Sequence, residues 1–98
     1  MGNQLFQNAA PITASAVVSK HPTPLRGILL NAVAATATIQ LFDDITTTSP
    51  QNPITGVITP GAIVVPTFVP IDVETSKGLV VVIAVAAANV TPIGRFSQ

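Results

Sequence analysis

Proline constrains this chain more than any other residue. Nine prolines, at positions 11, 22, 24, 50, 53, 60, 66, 70 and 92, cut its 98 residues into short pieces. A proline inside a helix removes a backbone donor and clashes with the preceding turn, at a cost of about 3 kcal/mol. No long helix fits between these breaks. The pieces themselves are rich in Val, Ile and Thr, residues that suit a pleated, half-buried surface. Short strands at this spacing predict an all-β fold, an antiparallel β-sandwich or jelly-roll-like domain of about seven to eight strands.

The pieces have distinct patterns. Residues 1–10 show no periodicity and read as an N-terminal arm with Leu5 and Phe6 as its large apolar groups, while residues 11–98 read as one domain. Residues 12–19 alternate, with Ile12, Ala14, Ala16 and Val18 on one face, as in a half-buried strand. Residues 25–33 form a second strand, in which Gly27 marks a bulge or a close backbone approach. Residues 37–44 place Ala37, Ile39 and Leu41 on one face and Thr38, Gln40 and Phe42 on the other. Residues 45–53 are a polar loop, 54–59 a short strand ended by Pro60 and Gly61, and 62–74 two strands or a bent one. Pro66 and Pro70 in that last segment belong on an edge or at bulges. The final strand covers residues 90–96, after a turn at Asn89.

Residues 79–88, LVVVIAVAAA, contain no side chain able to form a hydrogen bond. A membrane-spanning helix needs about 20 apolar residues, so this run is too short, and its β-branched clusters favour a strand. A strand apolar on both faces needs cover on both. The outward residues Val80, Val82 and Ala84 are therefore expected to meet a second copy of the chain; the alternative is that the 45–53 loop or the arm folds over them.

Charge is scarce. Only 8% of residues are charged, against about 25% in an ordinary soluble domain, and four acids cancel four bases. A neutral surface of this kind favours association, so a homo-oligomer is expected. The same balance lacks the basic footprint of nucleic-acid binding, and with no Trp or Tyr there is little to stack on bases. No cysteine is present, which removes disulfide and thiol chemistry. No basic region followed by an apolar run opens the chain, so no secretory signal is expected.

Groups for catalysis are equally few. His21 is the single histidine and lies between Lys20 and Pro22, where a solvated turn explains it. Asp43 and Asp44 at a strand end could meet calcium, but the Gly and Glu of a calcium loop do not follow. Asp72 and Glu74 alternate near Lys77 and suit a surface ion pair. Asn89-Val90-Thr91 matches a glycosylation sequon but is followed by Pro92. No catalytic, metal or cofactor site is expected, and the chain does not read as an enzyme.

The order of segments is nonetheless informative. Leu25, Gly27 and Ile28, then Leu41, Phe42 and Asp43, then Gly78, Leu79 and Val81, then Val90 and Thr91 form a pattern that resembles small all-β virion structural proteins of tailed bacteriophages. It departs from them at Pro66, Pro70 and Pro92. The resemblance implies a capsid decoration (cement) protein that binds the capsid exterior and bridges capsomers, with a neck, tail or head-fibre piece as the alternative. It implies a location in the virion, after assembly in the host cytoplasm. It also implies partners: further copies of the chain, a trimer being the simplest closure, and the major capsid protein or another virion protein. Leu5 and Phe6 would carry the arm to a neighbour. A carbohydrate-binding module shares the sandwich expectation but usually presents the aromatic platform that this chain lacks.

Overall fold

A computed structural model describes residues 7–8 and 11–94. The described residues are all-β and contain no helix. The strands are β1 (Gln7–Asn8), β2 (Ala16–Ser19), β3 (Pro24–Val33), β4 (Thr38–Phe42), β5 (Thr67–Glu74), β6 (Leu79–Ala84) and β7 (Ala88–Gly94). They form two antiparallel sheets, one in the order β1-β7-β3-β5 and one in the order β2-β6-β4. Each strand therefore lies in the opposite sheet from the strand before it.

The two sheets bury one core. Leu25, Ile28, Leu30 and Val90 from the first sheet join Ile39, Leu41, Leu79 and Val81 from the second in a single apolar cluster. Each such side chain contributes about 1.5–3 kcal/mol when fully removed from water. In β4 the expected alternation holds: Ile39 and Leu41 are buried, and Thr38, Gln40 and Phe42 are half-buried. Strand β6 is covered on both faces, because Val80 is also fully buried although it points away from Leu79 and Val81. Its cross-strand neighbours there are Val17 and Phe42.

The prolines sit where a missing donor is tolerated. Pro70 lies on the edge strand β5, opposite Gly27. Val90 exchanges backbone hydrogen bonds of 2.8 and 3.0 Å with Ile12. Two residues later, Pro92 turns its nitrogen to that same side, away from β3, so the β3–β7 ladder loses no bond. Gly27 answers the expectation of close approach. The register of β3 shifts between Leu25 and Gly27 on both sides, and a Cβ at position 27 would run into the Val69 carbonyl oxygen and the Phe68 ring.

Four segments differ from the sequence reading. Residues 79–88 are not one strand: β6 ends at Ala84, the chain turns through residues 85–87, and β7 begins at Ala88 in the other sheet. Asn89 is accordingly within β7, opposite Ala32, instead of in a turn. Residues 54–59 form no strand and contribute a single bridge, Ile58 to Ile39. Residues 12–19 divide between the sheets, Ile12 bridging to Val90 and β2 pairing with β6. At the crossing, Ser15 Oγ donates to Ile83 O at 3.2 Å and accepts from Ile83 N at 2.9 Å, replacing a backbone partner. Within the expected arm, Gln7 and Asn8 pair with Gly94 and Ile93; Leu5 and Phe6 lie outside the described residues.

Gly27→Ala is expected to destabilise the fold by about 1–3 kcal/mol through overpacking. Gly56→Ala, whose new methyl would meet nothing within 4 Å, is expected to stay within about 0.5 kcal/mol of the parent. Urea unfolding of both variants measures the difference.

Candidate functional surface

Antiparallel strands that alternate between sheets collect their connections at two poles. One pole holds the β2–β3 turn, the loop after β4 and the β5–β6 turn. Every charged side chain among the described residues lies at or near it: Lys20, Arg26, Asp43, Asp44, Asp72, Glu74 and Lys77, together with His21. The other pole gathers residues 13–15, 34–37, 62–66 and 85–87, none of which is ionisable.

The charged pole is built as a clamp. Asp43 Oδ2 accepts from Ser76 N at 2.9 Å and Ser76 Oγ at 3.0 Å, and its Oδ1 accepts from Lys77 N at 2.8 Å and Gly78 N at 3.3 Å. One carboxylate thus fastens the β5–β6 turn to the end of β4. Asp44 accepts from Ile45 N and Gln51 N, each at 2.7 Å, and closes the loop between them. Partial burial pushes the Asp43 carboxyl up, but the hydrogen bonds from Ser76, Lys77 and Gly78 outweigh it and hold the group below its ordinary value. Asp44 is held low by the Gln51 and Ile45 amides, against a smaller opposing effect of burial.

Buried hydroxyls complete the clamp. Ser19 and Thr23 share a hydrogen bond of 2.8 Å, Thr23 Oγ1 donates to His21 O at 2.8 Å, and Thr23 N donates to Thr75 Oγ1 at 2.9 Å. Ser19 reaches His21 only through its backbone, at 3.1 Å to the carbonyl oxygen, and the imidazole is exposed. No buried side-chain nitrogen or oxygen among the described residues is left without a partner. Asp72 forms its ion pair with Arg26, at 3.9 Å, and not with Lys77 as the sequence suggested. Both partners are more than half exposed, so the pair contributes little. Among the described residues no three His, Cys, Asp or Glu side chains come together in a way that could hold a metal ion.

The uncharged pole has a different character. Val64, Val65 and Val85 are 88%, 66% and 77% exposed. Beside them lies a groove of about 340 Å³ lined by Ala32, Val33, Ala34, Ile63, Ala87 and Ala88, together with the polar Thr13 and Asn89. The Asn89 side-chain oxygen is already engaged, since Asn31 Nδ2 donates to it at 3.0 Å and to Thr91 Oγ1 at 2.8 Å.

The strand residues expected at an interface are spread across this gradient. Val80 is buried inside the chain itself and has no surface to offer; Val82 is half-buried, and Ala84 is exposed at the end of β6, next to the uncharged pole. Among the exposed apolar residues that the sequence reading passed over, Val64, Val65 and Val85 are the most exposed, and all three lie at the uncharged pole. A consecutive aliphatic pair held out of the ladder by Pro66 was a usable signal for the first two. Compared with family models, curated proteins and solved structures, the chain matches none of them.

The depressed carboxyls fix the sign of an acid dependence. Stability from Asp43 and Asp44 is complete above the unfolded carboxylate value of about 3.9 and is lost as pH falls through the lower folded values. Urea midpoints are expected to fall across that window and to fall less in Asp43→Asn. At neutral pH Asp43→Ala is expected to cost about 1.5–3 kcal/mol, the range for hydrogen bonds to a charged acceptor.

Proposed function

We propose that the chain is a non-enzymatic structural subunit of a bacteriophage virion, a capsid decoration (cement) protein that binds the capsid exterior. The observation that carries this reading is the strand order. Sheets β1-β7-β3-β5 and β2-β6-β4, joined only by connections that cross between them, are read as a jelly roll. Its missing strand, beside β4, is reduced to the bridges at Pro53 and Ile58. Jelly rolls recur in viral capsid and lectin domains. A lectin reading needs an aromatic platform, and the chain has neither Trp nor Tyr.

The exposed aliphatic side chains of the uncharged pole support the same reading, since permanent interfaces are more apolar than transient ones. The partners would be further copies of the chain in a closed ring, a trimer in the simplest case, and the major capsid protein or a neck, tail or head-fibre protein. The mechanism is mechanical. Copies that bridge adjacent capsomers add interface area, and that area raises the barrier to expansion or rupture.

Because a fold alone does not carry a function, the test is made on particles. Virions produced from the genome that encodes the chain are purified with and without its gene. The chain is expected in the purified particles, and particles lacking it are expected to assemble but to rupture at a lower temperature. Virions from the intact genome that do not contain the chain, or deletion particles that rupture at the same temperature, contradict the proposal.

A further inference from the structure

Three described non-glycine residues have positive φ: Ser49 at 48°, Asn52 at 60° and Val85 at 75°. Ser49 and Asn52 lie in the polar loop after β4, and asparagine is often found in this region. Val85 is β-branched, for which the conformation is a genuine outlier. Ala86 N donates to Ala84 O at 2.9 Å and closes a three-residue turn around it, the γ-turn of the rarer, strained hand. Glycine or asparagine would fit there with less strain. Within its own chain the valine gains little in return, since it is 77% exposed.

Strain kept at an exposed site directs attention to what the residue contacts. Two residues further on, Ala87 and Ala88 line the groove with Ala34 and Ile63, and the groove measures about 340 Å³. An apolar cavity of about 150 Å³ already takes up benzene, so this groove has room for an aliphatic side chain. An apolar knob thus stands beside an apolar hole on one pole.

We infer that Val85 of one copy seats in this groove on a neighbouring copy, uncharged pole against uncharged pole. The inference rests on the reading of the chain as an associating subunit and names the contact by which it associates. Charge selects the occupant. A partner surface bearing charges would lose its hydration against a pole that has no counter-charge, and the opposite pole of this chain, where Lys20, Asp43, Asp44 and Lys77 lie, is such a surface. Head-to-tail stacking is disfavoured on that ground. The same uncharged pole of a second copy supplies both the knob and the hole. With like poles facing, Val85 of each copy enters the groove of the other, a reciprocal contact that closes on itself instead of running on as a filament.

The test compares solution mass by light scattering across a dilution series for the parent, Val85→Asn and Val85→Asp, with thermal unfolding of each to verify the fold. The parent is expected to form a closed oligomer that dissociates on dilution. Val85→Asn is expected to raise the unfolding temperature of the monomer while weakening association by about tenfold or more, the loss of one buried aliphatic side chain per contact. A merely structural valine would not move those two readouts in opposite directions. Val85→Asp is expected to be monomeric throughout. A parent that is monomeric at every concentration, or variants that associate as the parent does, overturn the inference. Its failure is separable from that of the virion reading: a monomer found on purified particles overturns this contact alone, and an oligomer missing from particles overturns the virion role alone.

Discussion

Among the described residues no two successive strands pair with each other. Every hydrogen-bonded ladder joins segments that are distant in the chain, β3 with β7 and β5, β6 with β2 and β4, so neither sheet can form as a local hairpin. The sheets are held by what lies between and beyond them: a shared core of Leu, Ile and Val, and polar fastenings where the chain crosses from sheet to sheet. Closing such long loops is entropically costly before any contact rewards it, which places this fold among the slower two-state topologies.

The scarce charges are spent on those crossings. Asp43 binds the β5–β6 turn through backbone amides, Asp44 closes the loop after β4, and Ser19, Thr23 and Thr75 join the β2–β3 turn to the end of β5. Asp43 and Asp44, which looked like a candidate cation pair, therefore act as acceptors that hold backbone amides in place. The opposite pole crosses between sheets without an ionisable residue, and its turn at Val85 is strained and exposed. One end of the molecule is fastened by carboxylates and hydroxyls; the other carries no charge and exposes Val64, Val65 and Val85. That asymmetry is the physical basis for the proposal that the chain is an associating subunit.

Much of the core was legible from the sequence. The alternation of Ala37, Ile39 and Leu41 predicted which side chains β4 buries, Gly27 marked a close approach that Phe68 fills, and Pro70 signalled an edge. The corner at residues 85–87 was not legible, because Val-Ala-Ala offers no glycine, asparagine or proline to announce a turn. The switch of sheets between Ile12 and Ala16 was hidden for a related reason: Ser15 supplies by side chain the hydrogen bonds that a strand would make by backbone. Nor could the two-faced cover of Val80 be assigned to the chain itself, since Val17 and Phe42 come from strands far away in the sequence. The division into poles arises from the topology, which brings together Ala34, Ile63 and Ala87 from segments that share no local pattern.

Amide hydrogen exchange measured at low and high protein concentration tests this division of labour most directly. The account predicts that protection of residues 84–88, 62–65 and 32–36 rises with concentration, while protection of residues 76–78 and 51–52 is independent of concentration and falls in acid. Protection that changes uniformly along the chain, or that rises with concentration at the charged pole instead, would contradict it.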